Sequence, residues 1–145
     1  MTAPITLEEQ VDDAIVAEGV EVVTGAPRSF ALRVGSDRLI CLPDDLPEPE
    51  RTVEKAHELA HHATGTLYKC GENDRRVIGK CEETAFRWSA GLLLPYARLV
   101  RAIKKERTFD PCALGDMLTL PAEFVARCEV LYFGLLGKEA PRLEN

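Results

Sequence analysis

Residues 55–62 read Lys-Ala-His-Glu-Leu-Ala-His-His and contain the pattern H-E-x-x-H. On a helix, His57 and His61 lie four residues apart and therefore on one face, one turn above the other. Two imidazoles placed in this way can bind one zinc ion from the same side. Glu58 lies less than a third of a turn from both, so its carboxylate can hold a metal-bound water without being a ligand. The stretch therefore predicts a helix that carries a zinc site, with Glu58 as general base.

The composition is that of a globular protein with an acidic surface. The chain has 145 residues and a formal net charge of -6, with 46% hydrophobic and 29% charged residues. This length predicts a single domain, 1–145. The acidic charge argues against direct binding of nucleic acid, because nucleic-acid binders need a cationic surface. No signal peptide and no apolar stretch of membrane-spanning length are evident, so we expect a cytoplasmic protein that binds no membrane.

The periodicity of apolar residues predicts an α+β fold, in which a small antiparallel sheet of about three strands packs with a mainly helical domain. Residues 1–46 are expected to form an N-terminal helix and the sheet. The predicted elements are a helix over Leu7–Glu18, a short strand over Val20–Val23, and a hairpin of Ser29–Val34 and Arg38–Leu42 around Gly35-Ser36-Asp37.

Residues 49–95 are expected to form the helices of the metal site, and residues 96–136 the C-terminal helices. The first metal-site helix runs from about Pro49 to Thr64, and Gly65 ends it. Residues 66–80 are polar and predict a loop with a helical turn near 75–78. A second helical pattern runs from Cys81 to Leu94. The C-terminal predictions are helices over 96–107, 112–118 and 121–136, followed by a loose tail.

A catalytic zinc ion needs a third protein ligand, and two adjacent acids are candidates for it. Glu82 shares a helix face with Ala85 and Leu92, the side expected to be buried, where a carboxylate is unfavourable unless it is paired or binds metal. Glu83 lies four residues before Arg87, a spacing typical of a solvated ion pair. We therefore predict Glu82 as the ligand and Glu83 as a surface residue.

These motifs together resemble the ImmA/IrrE family of metallopeptidases. His57-Glu58-Leu59-Ala60-His61 is similar to the family's H-E-[LIF]-[GA]-H, and residues 82–95 are similar to its E-x-E-A-[ND]-x-F-A-A-x-L-L-M-P. Aligned on the closing Pro95, Glu82 takes the place of the metal-binding glutamate. The resemblance covers residues 49–95 and implies that the helical part is zincin-like.

Two positions depart from the family pattern. Thr84 stands where a second acid is usual, and Phe86 stands where an Asn or Asp is usual. In related peptidases that side chain often supports a ligand histidine from behind, and loss of such support typically costs 10- to 100-fold in metal affinity or activity. Another group, Asp44, Asp45 or a backbone carbonyl, would then have to hold the imidazole.

The resemblance implies one zinc ion, bound by His57, His61 and Glu82, and a protein substrate. Members of this size are similar to phage and mobile-element proteins that cut a helix-turn-helix repressor. Glu58 would transfer the proton from the attacking water to the leaving amine. A donor for the developing oxyanion is also needed, and His62, Tyr68 and Tyr96 are the candidates. His62 lies about 140° around the helix from His57 and so cannot easily bind the same ion, which favours an exposed or a supporting histidine instead.

A second hypothesis belongs to a different class. The chain would be a catalytically weak or inactive anti-repressor that binds and sequesters the regulator without cleaving it. Thr84 and Phe86 favour this alternative, whereas the complete set of His57, Glu58, His61 and Glu82 favours the peptidase.

Overall fold

The computed structural model describes residues 4–68 and 72–144. Cys70, which lies between the histidine motif and Glu82 in the sequence, is outside the described residues. The α+β prediction is confirmed, because six α-helices and one three-stranded sheet are present in the described part of the chain. In chain order the elements are α1 Leu7–Ala17, β1 Glu21–Thr24, β2 Phe30–Val34, β3 Asp37–Leu42, α2 Glu48–Thr64, α3 Arg75–Leu93, α4 Tyr96–Glu106, α5 Pro111–Leu118, α6 Ala122–Glu129 and a π-helical segment, Val130–Leu135.

The chain divides into two compact units, Met1–Ser89 and Ala90–Asn145. The first contains the sheet, α1, α2 and most of α3, and the second contains α4 to α6 and the π-helical segment. The single domain expected over 1–145, with parts 1–46, 49–95 and 96–136, stays a prediction. None of the described helices is both long and apolar enough to cross a membrane.

The predicted hairpin is confirmed by the pairing of β2 with β3. The two strands are antiparallel, with Val34 opposite Asp37 and a two-residue turn between them. Gly35 adopts φ +61° in that turn, a conformation that a two-residue hairpin turn requires and glycine tolerates without strain.

The expectation of a fully antiparallel sheet is wrong, because β1 pairs in parallel with β3. The strand order is β1-β3-β2, so β3 is the central strand and β1 and β2 are edges. β3 supplies the buried Ile40 and Leu42, whereas every residue of β1 is exposed. The most apolar strand, β3, is therefore the central one and is paired on both sides. The strand that contains Glu21 and Thr24, β1, lies at an edge of the sheet, where exposed side chains are tolerated.

Helix α2 packs against both α1 and the sheet, and this position requires small buried side chains. Ala56 and Ala60 are fully buried beside Leu59, which allows the neighbouring backbones to approach closely. The helix begins one residue before the predicted start, with Pro47 as its N-cap, and ends at Gly65 in the left-handed conformation. The motif at 57–61 therefore lies in the interior of a well-anchored helix, as predicted.

Helix α3 begins at Arg75, six residues before the predicted start. The backbone N–H of Arg76 donates to Oδ1 of Asp74 at 3.0 Å, which satisfies one of the free donors of the first turn. The first turns are polar and mostly exposed, and they contain Gly79, so the sequence there resembles a loop. The consequence for the site is that Glu82 lies inside a helix, on a rigid element.

Candidate metal centre

The structure brings the two histidines of the motif together on α2. The ring centroids of His57 and His61 lie 4.9 Å apart, and the two rings are almost perpendicular. His61 is buried, whereas His57 is partly exposed to solvent. One turn of helix is thus enough to bring both imidazoles to one place, as the spacing predicts.

The carboxylate of Glu82 on α3 completes the cluster. Oε2 of Glu82 lies 2.5 Å from Nε2 of His57 and 3.3 Å from Nε2 of His61. The three residues offer ligand atoms that all lie within 4.8 Å of one another. Ligand atoms about 2.0–2.2 Å from one tetrahedral zinc are separated by roughly 3.3 Å. The cluster can therefore hold a metal ion with two imidazole nitrogens and one carboxylate oxygen.

The neighbouring acid, Glu83, points to a different surface of α3. Nε of Arg87 donates to Oε1 of Glu83 at 2.9 Å, and both side chains are largely exposed. The structure thus places Glu82 beside the histidines and Glu83 in a solvated i,i+4 pair, the arrangement predicted from the helix face. Glu82 itself is only partly buried, so the expectation that it faces the core is too strong.

The electrostatics of the cluster favour the protonation states that a metal ion requires. Burial alone would raise the pKa of Glu82, but hydrogen bonds from His57 and Tyr68 bring that pKa below its ordinary value. Burial lowers the pKa of His61. An ionised carboxylate and a neutral imidazole are the forms that bind a divalent cation.

The orientation of His61 is fixed by Thr66, which the sequence analysis did not single out. Nδ1 of His61 lies 3.1 Å from the backbone oxygen of Thr66 and 3.0 Å from its hydroxyl oxygen. When the N–H of Nδ1 donates to the carbonyl, the other ring nitrogen, Nε2, is unprotonated and its lone pair faces Glu82. The expectation that a backbone carbonyl supports an imidazole is confirmed for His61. The sequence signal is Gly65, whose left-handed conformation ends α2 and turns the chain back.

The two departures from the family pattern differ in their surroundings. Phe86 is buried, with 4% of its surface exposed, and belongs to the apolar core of α3. Thr84 is exposed to solvent. Thr66 supports His61 independently of the side chain at position 86.

Glu58 lies in a mostly buried environment between α2 and the sheet. Only 6% of its surface is exposed. Burial and the charges of Glu54 and Glu82 raise its pKa to about 8, against the opposing effects of Arg28 and a hydrogen bond from the backbone of Ala31. Ala31 belongs to the edge strand β2, so the packing of α2 against that strand positions the carboxylate.

The three oxyanion candidates are placed differently. Tyr68 donates its hydroxyl to Oε1 of Glu82 at 2.9 Å, and its ring lies 6.1 Å from that of His61. His62 is buried, and its Nε2 lies 2.8 Å from the backbone oxygen of Leu39, which ties α2 to the central strand. His62 is therefore a buried histidine that joins α2 to β3, and not an exposed one. Tyr96 belongs to the second unit, where its hydroxyl donates to the backbone oxygen of Glu139 at 2.6 Å.

A comparison with protein families gives one match. The family model Peptidase_M78, described as the IrrE N-terminal-like domain, matches residues 9–135. This range includes the histidines of the motif, Glu58 and Glu82. No curated protein and no solved structure gives a significant match to the chain.

Proposed function

Since the chain belongs to the Peptidase_M78 family, the IrrE N-terminal-like domain, we propose that it is a zinc-dependent endopeptidase that cleaves a regulatory protein. The observation that carries the proposal is the convergence of His57, His61 and Glu82 from two helices, with Glu58 next to the first ligand. Helices α2 and α3 carry these groups, and contacts with Thr66 and Tyr68 orient His61 and Glu82.

Zinc is the ion that best suits this donor set. Two imidazole nitrogens and one carboxylate oxygen are the ligands of one large class of catalytic zinc sites, which keep a fourth position open. Zinc bound here would lower the pKa of its water toward about 7 and polarise the scissile carbonyl.

Glu58 is proposed as the general base. Its carboxylate adjoins the ligands but belongs to none of the three metal-binding positions. In the proposed reaction this carboxylate would accept a proton from the metal-bound water and pass it to the leaving amine.

Tyr68 is proposed as the donor to the developing oxyanion. Its hydroxyl lies at the edge of the cluster, and burial and its hydrogen bond to Glu82 raise its pKa, so it keeps its proton. A phenol at this point can turn from Glu82 to a substrate oxygen. Nε2 of His62 and the hydroxyl of Tyr96 are engaged with backbone oxygens.

The proposed substrate is a helix-turn-helix repressor of a phage or mobile element, encountered in the cytoplasm. The family resemblance supports this class of partner. The net charge of -6 supports contact with the repressor itself and not with its DNA.

A second candidate function is sequestration of the regulator without cleavage. The observation that favours it is the buried, apolar Phe86 where the family has a polar side chain. The contacts of His61 with Thr66 favour the peptidase, because they hold one ligand imidazole in place.

Glu58→Gln separates the two functions. The substitution preserves the three ligands, so the variant should bind zinc like the wild type but lose cleavage. We would express both forms in cells that carry a repressor-controlled reporter and map new protein N-termini by mass spectrometry. The peptidase proposal predicts a repressor fragment and derepression with the wild type only. Full derepression by the variant, without a fragment, would establish sequestration.

A further inference from the structure

The C-terminal segment, residues 137–144, lies along helix α4, although the sequence predicts a loose tail. At one end the hydroxyl of Tyr96 donates to the backbone oxygen of Glu139 at 2.6 Å. At the other end Nη2 of Arg107 donates to the backbone oxygen of Glu144 at 3.0 Å. The 11 residues of α4 rise by about 16 Å, and five extended residues also cover about 16 Å. The segment, here called the strap, therefore spans the whole helix.

A cavity of about 400 Å³ lies between the strap and α4. Its walls on α4 come from three residues spaced four apart, Tyr96, Val100 and Lys104, and its walls on the strap come from residues 139–142. The ring of Tyr96 and the aliphatic groups of Val100, Ala140 and Pro141 are apolar. The volume is within the range of sites that bind a small molecule or an inserted side chain.

The exposed face of α4 beside this cavity is cationic and unneutralised. Arg101, Lys104 and Lys105 are exposed, and none of them is in an ion pair within 4–68 and 72–144. Lys104 also lines the cavity, to which the strap adds Glu139 and Arg142, and Nη1 of Arg142 lies 4.0 Å from Oε1 of Glu144. Residues 90–145 hold eight Lys and Arg against seven Asp and Glu, although the whole chain has a net charge of -6. Four of these eight basic residues lie on α4, namely Arg98, Arg101, Lys104 and Lys105.

We propose that the cavity and the cationic face of α4 form a docking site for an acidic protein segment. An apolar side chain of that segment, such as leucine, would enter the cavity, and carboxylates on either side of it would meet Arg101, Lys104 and Lys105. A cavity whose walls are partly apolar and whose α4 side borders cations is complementary to this pattern in both shape and charge. Duplex DNA fits less well, because three cations on a protein of net charge -6 give few phosphate contacts. The inference does not depend on peptidase activity.

The test measures binding of a fluorescein-labelled peptide of alternating Glu and Asp with one central Leu to the full-length chain. Fluorescence anisotropy would be compared with two matched peptides, one with Lys at every acidic position and one with Ala in place of Leu. We expect binding of the acidic peptide that weakens with salt, no detectable binding of the Lys peptide, and binding of the Ala peptide weaker by about five-fold or more.

Two double variants test the surface. The double variant Arg101→Glu with Lys104→Glu should bind the acidic peptide at least about ten-fold more weakly than the wild type does. Arg75→Glu with Arg76→Glu makes the same charge change on exposed residues of the first unit and should alter binding by less than about two-fold. Both changes are on exposed side chains, and circular dichroism would confirm that the variants remain folded.

The variant Val100→Trp tests the cavity separately. Because the indole ring would fill the cavity, this variant should bind the Leu peptide and the Ala peptide equally well. Its binding of the acidic peptide should still weaken with salt. The proposal is overturned if the wild type does not distinguish the acidic peptide from the Lys peptide. It is also overturned if both double variants weaken binding equally, or if a short DNA duplex binds more tightly than the acidic peptide.

Discussion

Nδ1 of His61 lies 3.1 Å from the backbone oxygen of Thr66, the first residue after the glycine that ends α2. The helix terminus therefore positions a proposed metal ligand, because the turn at Gly65 delivers the carbonyl that holds the imidazole. This relationship gives the site a support that does not depend on the side chain at position 86.

The first prediction concerns the carbonyl of Thr66 and the turn that presents it. Thr66→Ala removes the hydroxyl and keeps the carbonyl, so zinc affinity should fall by less than about three-fold. Gly65→Ala strains the left-handed position, which should lower the free energy of unfolding by about 1 kcal/mol and zinc affinity by about ten-fold. Zinc titration and thermal unfolding of both variants would check this. A larger loss of zinc affinity in Thr66→Ala than in Gly65→Ala would show that the hydroxyl is the main support.

The second prediction concerns Phe86→Asn, which restores a residue usual in the family. Phe86 is buried, so exchanging its ring for an amide should lower the free energy of unfolding by about 3–5 kcal/mol. Zinc affinity should not rise, because the amide would disturb the packing of α3, which carries the ligand Glu82. Urea unfolding and zinc titration would measure both effects, with Phe86→Leu as a control that keeps the site apolar. A variant that binds zinc more tightly would show that support from position 86 is missing in this chain.

The third prediction concerns hydroxyl donation by Tyr68. Tyr68→Phe removes the hydroxyl that lies 2.9 Å from Glu82 and should lower kcat by about 10²-fold with little change in KM. Zinc content should stay unchanged, because Tyr68 is not a ligand. Steady-state kinetics on the cleaved regulator would check this, with Tyr96→Phe as the matched control. An equal loss in both variants would contradict the assignment.

The fourth prediction concerns acid stability and the ion pairs between α1 and α2. Nζ of Lys55 lies 2.9 Å from Oε2 of Glu8, and Nη2 of Arg51 donates to Oε1 at 2.7 Å. The hydrogen bond from Arg51, followed by the effects of Lys55, lowers the pKa of Glu8 from 4.5 to about 2 although burial opposes it. A lowered pKa in the folded state adds stability that is complete above pH 4.5 and is lost as the pH falls toward about 2.

Glu8→Gln should therefore reduce the free energy of unfolding by about 1–2 kcal/mol at pH 7, part of the effect being screened by solvent. The difference from wild type should shrink as the pH falls from 4.5 toward 2. Urea unfolding as a function of pH would measure it, with Glu9→Gln as the adjacent control. A difference that stays constant over this range would contradict the assignment of the effect to the charge of Glu8.

The parts of the site that could be predicted from the sequence are those set by local helix geometry. His57 and His61 are one turn apart on any α-helix, and the choice of Glu82 over Glu83 follows from which face carries the apolar residues. The hairpin was predictable because Gly35 stands between two apolar runs, and a glycine at that place is a known signal of a tight hairpin turn.

The parts that could not be predicted depend on contacts between distant residues or on exposed polar turns. The parallel pairing of β1 with β3 joins Glu21 to Leu39, and no local pattern specifies it. The first turns of α3 are solvated, so their composition resembles that of a loop. The strap along α4 depends on hydrogen bonds such as that from Tyr96 to Glu139, which link residues far apart in the sequence.

The central claim is that His57, His61 and Glu82 hold one zinc ion. The most direct test is the zinc content per chain of the purified wild type, of Glu82→Ala and of Glu83→Ala after equilibration with limiting zinc. We predict about one zinc per chain in the wild type and in Glu83→Ala, and a large loss in Glu82→Ala, because only Glu82 lies beside the imidazoles. Equal zinc content in the two variants, or zinc lost only from Glu83→Ala, would contradict the account.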